Sequence, residues 1–168
     1  MTIEKVTDIN YEEFKNSPRS ALVVTTSWCR HCANYEPIIN TLLKQMPYIK
    51  FGKSVIDKEK TSRLKRDYSD FGSWILPTTL LFRDEREVSR IKGSALYPEV
   101  LSRLQTNLII GSLIYVPGRN GEYVPAKIKG IHQGLYALEL IGDSKHGKKN
   151  TIIKLGEGEF AWEQKKSN

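Results

Sequence analysis

Apolar residues change their period several times along the first hundred positions, and each change marks an element. Ser20-Ala-Leu-Val-Val-Thr-Thr26 is a continuous β-branched run, the pattern of a strand buried on both faces. Beyond it Ile38, Ile39, Leu42, Leu43 and Met46 recur at helical spacing, which predicts a helix from about Arg30 to Gln45. Pro37 falls inside that helix, where its missing amide proton and its crowding of the preceding turn predict a bend. Residues 10–16 predict a short helix that breaks at Ser17-Pro18. Tyr48 to Ile56 alternates toward a strand, and Lys58 to Tyr68 is a charged segment of helical character. Residues 78–82 and 88–92 flank the turn-like Arg83-Asp84-Glu85-Arg86, which predicts an antiparallel hairpin. Residues 98–104 read as a closing helix with Pro98 in its first turn. The order strand, helix, strand, helix, strand, strand, helix predicts an α/β sandwich with a mixed sheet.

After about Asn107 the pattern changes. Residues 108–116, 123–131, 135–141 and 151–155 read as short strands, separated by Gly118, Gly121, Gly134, Gly142 and Gly147. Short strands with turn signals and no helix point to a small barrel. The expected organisation is therefore an α/β domain over 1–107 and an all-β domain over 108–168.

Hydrophobic residues make up 39% and charged residues 27% of the 168, the balance of an ordinary globular protein. No run approaches the roughly 18 apolar residues of a membrane span, so no membrane partner is expected. The amino terminus, Met1 to Asp8, lacks the apolar core of a secretory signal, and a cytoplasmic location is expected. The formal charge of +7 divides into +4 over residues 1–107 and +3 over 108–168. It is spread rather than gathered in a tail, and reads as a solvated basic surface with mild attraction for acidic partners.

Cysteine usage sharpens the picture. The two cysteines both lie in Trp28-Cys29-Arg30-His31-Cys32. A bridge between them closes too small a loop to restrain the unfolded chain, so reactivity explains the pair better than stability. The segment falls where the predicted strand ends and the predicted helix begins. There Cys29 meets unpaired backbone amides and the positive end of the helix dipole, which stabilise a thiolate. Arg30 and His31 add positive character. Cys32, one turn into the helix, is within reach of a mixed disulfide formed at Cys29 and can release the substrate. Zinc needs about four ligands, and no second Cys/His cluster exists, so neither a metal nor a cofactor is expected.

These residues resemble the thioredoxin family over roughly 5–106. The matches are Trp28 before the dithiol, Pro37 eight residues after Cys29, Leu76-Pro77-Thr78 leading into an apolar strand, Lys53 and Asp57, and Gly93 after the hairpin. The resemblance implies Cys29 as nucleophile, Cys32 as resolving thiol, and a cis Pro77 in the substrate groove with Leu76 and Thr78. It implies protein disulfides as substrates and a redox recycling partner. Many thioredoxins carry a buried acid six residues before the first cysteine. Here that position is Val23, which leaves Lys53 without that partner. Resolution by Cys32 is then expected to be slower, or to rely on water or another group. His31 before the second cysteine resembles disulfide isomerases and DsbA-like oxidants, which predicts a potential less reducing than thioredoxin's.

The second domain resembles an SH3-like barrel of the Tudor type, with Tyr123-Val-Pro-Ala126 the nearest match and Ile141-Gly142-Asp143 a departure from the usual turn. Such domains can hold a methylated cation among aromatic rings. Tyr115, Tyr123, Tyr136, Phe160 and Trp162 are the candidates for that cluster. The leading expectation is a thiol–disulfide oxidoreductase whose barrel recruits substrates. The alternative is a non-catalytic adaptor whose barrel recognises a peptide or nucleic acid.

Overall fold

The computed structural model describes residues 2–163; residues 164–168, the end of the expected second domain, lie outside the described residues. Two compact units emerge, Met1–Leu108 and Ile109–Asn168.

The first unit runs β1 (Glu4–Lys5), α1 (Tyr11–Lys15), β2 (Arg19–Thr25), α2 (Arg30–Gln45), β3 (Lys50–Val55), α3 (Ser62–Asp67), β4 (Thr78–Arg83), β5 (Arg86–Lys92) and α4 (Tyr97–Leu104). Its sheet has the order β1-β3-β2-β4-β5. The first three strands are parallel, and β4 and β5 pair antiparallel. This is the mixed sheet expected. The addition is β1, whose two residues are too short for any period to register. At the hairpin, Asp84 and Glu85 both take positive φ, 49° and 69°, as a two-residue turn between twisted strands requires.

Strand β2 is buried over six of its seven residues because both its faces are covered. Leu22 and Val24 point into a core with Val6, Tyr11, Phe14, Leu64, Leu80 and Phe82. Val23, on the opposite face, lies with Tyr35 and Ile39 of α2. Helix α2 runs uninterrupted through Pro37, with Tyr35, Ile39, Leu42 and Leu43 as its buried stripe. Gly52 of β3 permits a close approach, since a Cβ there would fall 2.5 Å from Phe14 Cε2 and 2.6 Å from Val6 Cγ2.

The segment before β4 is pinned by aromatic packing. The Arg90 guanidinium lies 5.2 Å from the Tyr68 ring centre and 5.0 Å from that of Trp74, and forks onto Glu87 at 2.6 and 3.0 Å. Trp74 packs against Tyr68 and Phe71 at 5.0 and 5.1 Å.

The second unit is a four-stranded antiparallel sheet: β6 (Leu113–Pro117), β7 (Tyr123–His132), β8 (Leu135–Leu140) and β9 (Ile152–Gly156), paired in that order. Ile114, Val116, Ala126, Ile128, Tyr136, Leu138, Leu140 and Leu155 supply its buried face, at alternating positions along the strands. The sheet is not closed by its named strands. Among the described residues no helix is long and apolar enough to cross a membrane.

Candidate active site

Every feature of the site gathers at one end of the first sheet, where parallel strands β2 and β3 finish. The turn after β3 brings Asp57 beneath the segment that follows β2. Asp57 Oδ1 accepts the Ser27 amide at 2.8 Å, and Oδ2 accepts the Ser27 hydroxyl. The hydroxyl hydrogen bond, more than any other interaction, holds the Asp57 carboxyl below the usual carboxylate range. Trp28 and Cys29 therefore leave the strand on an anchored turn, with the Cys29 amide donating to Thr26 O at 3.3 Å.

Cys29 is the N-cap of α2, in extended backbone conformation, and its sulfur accepts the Cys32 amide at 3.2 Å. A cysteine thus occupies the place where serine or aspartate commonly satisfies a helix's first amides. The two cysteines are joined as a disulfide. Cys29 is half-buried and Cys32 only 7% exposed, so one sulfur is offered outward and the other inward. Trp28 is 75% exposed, and Arg30 and His31 face solvent beside it.

The pairing register carries the next part of the site to the same place. Val24 lies opposite Thr78, and Thr78 opposite Lys92. The start of β4 and the end of β5 therefore meet the end of β2. Just before β4 the Leu76–Pro77 peptide is cis, and Thr78 Oγ1 donates to Ile75 O at 2.7 Å. Pro77 and Thr78 are buried, Leu76 is half-buried, and Ile75 stands 62% exposed. Gly93, at φ 77°, follows β5 with Ile75 3.5 Å from where its Cβ would be.

Behind the dithiol the sequence misses two contacts. Tyr35, one turn after Cys32, is buried and hydrogen-bonded through its hydroxyl to Thr79 Oγ1 at 3.1 Å, tying α2 to the strand after Pro77. Burial pushes the Tyr35 hydroxyl pKa up. Lys53 does have an acidic partner: its Nζ is 2.9 Å from Glu36 Oε2. Glu36 projects from α2 toward β3 and takes up the lysine that Val23 leaves uncompensated. Its only sequence signal is its place one turn beyond Cys32.

In the second unit the structure brings together three of the five candidate aromatics. Tyr136 meets Phe160 at 5.1 Å and Trp162 at 6.0 Å, and Phe160 meets Trp162 at 5.5 Å, all edge to face. Tyr136 is 4% exposed, and the rings fill one another's faces as packing does. Tyr115 exchanges both backbone hydrogen bonds with Ala161, at 2.8 Å each. Tyr123, by contrast, starts β7, whereas Tyr136 pairs with Ile131. His132 and His146 are both exposed.

A dithiol at a strand-to-helix junction, capping the helix beside a cis-proline, defines a thiol–disulfide oxidoreductase. The comparisons agree. The Thioredoxin family model matches residues 2–106. The chain is similar to the thioredoxin of Chlamydia muridarum, with 31% identity over 88 residues, covering 51% of this chain and 81% of that one. The thioredoxin of Chlamydia pneumoniae is matched to the same extent, at 31% over 88 residues. Among solved structures it is similar to the Malassezia sympodialis thioredoxin Mala s 13, with a TM-score of 0.54 at 12% identity, covering 63% of this chain and 90% of that one. Fasciola hepatica thioredoxin gives a TM-score of 0.53 at 18% identity, covering 62% and 99%. The chain belongs to the thioredoxin family, and its first unit has the thioredoxin fold.

Proposed function

We propose that this protein exchanges disulfides with other proteins through Cys29 and Cys32, and is returned to its starting state by a separate redox partner. Cys29 attacks the substrate disulfide, and Cys32 resolves the mixed disulfide. Trp28, Arg30, His31 and Leu76 form the surface on which the substrate lies, and buried Pro77 and Thr78 shape the groove from behind it. The observation that carries this reading is the Cys29 cap. Its sulfur accepts an amide hydrogen bond at the helix start, the environment that favours a thiolate, while Cys32 waits on the inner side. His31, next to the second cysteine, supports a potential less reducing than thioredoxin's. A cytoplasmic setting fits the cysteine usage, since both cysteines belong to the dithiol and none is left for structural bridges.

The second unit, from about residue 108, is read as a separate SH3-like domain. Support comes from the two-way hydrogen bonding of Tyr115 with Ala161, which follows a 3-10 turn at Glu157–Glu159 and adds an edge beside β6. Its proposed role is recruitment of substrates, resting on its basic charge and separate core.

The test is reduction of insulin by the wild type, Cys29→Ser and Cys32→Ser, with the potential titrated alongside. Activity lost in Cys29→Ser, together with a trapped mixed disulfide in Cys32→Ser, is the expected result. Equal inertness of all three would overturn the redox reading and leave binding by residues 108–168 as the function to pursue.

A further inference from the structure

Turnover poses a proton problem that the outer cysteine does not solve. Before Cys32 can attack, it must become a thiolate in a position only 7% exposed. A cavity of about 10 Å³ lies against it, bounded also by Val23, Thr25, Tyr35, Glu36 and Lys53. That is about the space of one water molecule. Three of these side chains are ionisable. Burial keeps the Tyr35 hydroxyl protonated. Lys53 is the cation of an ion pair, and Glu36 is its carboxylate. Glu36 is therefore the Brønsted base on this cavity, one turn from Cys32 on the same helix face.

The same two residues also line a wider, open groove on their far side, with Glu4, Lys5 and Glu59. Their side chains are 45% and 30% exposed, so a proton reaching Glu36 has a route to solvent. The other charges facing Glu36 across that groove are already matched. Lys5 of β1 pairs with Glu59 at 2.8 Å, and Glu4 pairs with Lys50 at 3.1 Å. Lys53 of β3 is left as Glu36's own counter-ion.

We propose that Glu36, held in place by Lys53, accepts the Cys32 proton through one water in this cavity. The proposal rests on the assignment of Cys29 as attacking thiol and Cys32 as resolving thiol. In the resolving step the Cys32 S–H proton passes by way of the water to Glu36. The thiolate attacks the Cys29 sulfur, and the Cys29–Cys32 bond forms. The bond from Cys29 to the substrate sulfur breaks, and that sulfur leaves with the electron pair and is protonated from solvent. The enzyme dithiol is oxidised and the substrate disulfide is reduced. Positioning by Lys53 keeps the carboxylate turned toward the cavity.

The experiment is stopped-flow reaction of the reduced full chain with 5,5′-dithiobis(2-nitrobenzoate), from pH 5 to 9. The first arylthiolate released reports attack by Cys29, and the second reports resolution by Cys32. In Glu36→Gln the first phase should be unchanged and the second slowed about tenfold or more. The slowed phase should climb steeply with pH, as an unassisted thiol requires, where the wild type is shallower. Glu36→Asp should restore part of the rate, and Lys53→Gln, which keeps the base but loses its positioning, should slow the second phase less than Glu36→Gln does and leave the shallow pH profile in place. A second phase in Glu36→Gln with the wild-type rate and pH profile would overturn the proposal. So would equal slowing in Glu36→Gln and Lys53→Gln without a change of pH profile, which marks a purely structural ion pair. A wild type with no first phase would instead overturn the dithiol assignment beneath it.

Discussion

Replacing Gly52 by alanine tests how closely α1 is pressed onto the sheet. The new methyl carbon would sit 2.5 and 2.7 Å from Phe14 Cε2 and Cζ and 2.6 Å from Val6 Cγ2. Carbon atoms in good contact stand about 3.5–4.0 Å apart, so the overlap is about 1 Å on two sides. Neither neighbour has room to retreat. Phe14 and Val6 are both 0% exposed and share one cluster with Leu22, Leu80 and Phe82. Overpacking of this kind costs about 1–3 kcal/mol, and two immovable neighbours place Gly52→Ala near about 3. For a domain of this size each kcal/mol moves the melting temperature by about 4–8 °C, so the first unit's transition should fall by about 12–24 °C. Calorimetry on the full chain reads it directly. Phe14→Leu in the same background should recover part of the loss, because the two sites are coupled through one contact. A drop of less than about 4 °C in Gly52→Ala, about 1 kcal/mol, would refute the packing argument. The effect should also reach the chemistry, since Gly52 adjoins Lys53.

Two further substitutions probe the framework of the site. The Asp57 carboxyl is held below its usual value by the Ser27 hydrogen bonds, so it stabilises the fold above its unfolded pKa of about 3.9. That contribution is lost as pH falls through the lower folded value; Asp57→Asn should remove this part of the acid sensitivity, read as melting temperature against pH from 2 to 6, and an unchanged acid limb would count against the anchored turn. Tyr35→Phe removes a buried hydroxyl and leaves Thr79 Oγ1 without it. It should cost about 1–3 kcal/mol by denaturant titration, and a neutral result would mean the bond to β4 contributes nothing.

What the sequence reveals of this chain follows the length over which a pattern repeats. Helix α2 is legible because Ile38, Ile39, Leu42 and Leu43 repeat over two turns, and its observed bounds are those predicted. Strand β1 is invisible, since two residues have no period and exist as a strand only by pairing with Gly52 and Lys53. The charged segment predicted as a helix over 58–68 shortens to α3, because the amides of Lys58 and Glu59 bond back to Val55 and close a turn first. The dithiol and Pro77 are legible from local motifs. Glu36 and Lys53 are not a local motif: they are seventeen positions apart and meet only because α2 folds back over β3. The aromatics of the second unit show the converse. Composition gathers five rings, and only the fold brings Tyr136 of β8 against Phe160 and Trp162 some two dozen positions later.

The Cys29 cap has a thermodynamic corollary. The sulfur that completes the first turn of α2 is the same atom that gains and loses a covalent partner in each cycle. Reduction, ionisation and folding thus form a closed cycle, and the free energy around it must sum to zero. Whatever the helix start contributes toward keeping Cys29 as a thiolate must reappear as extra stability of the reduced chain over the oxidised one. The enzyme's appetite for electrons is written into its resistance to unfolding, and a calorimeter and an electrode applied to the two forms would report one quantity.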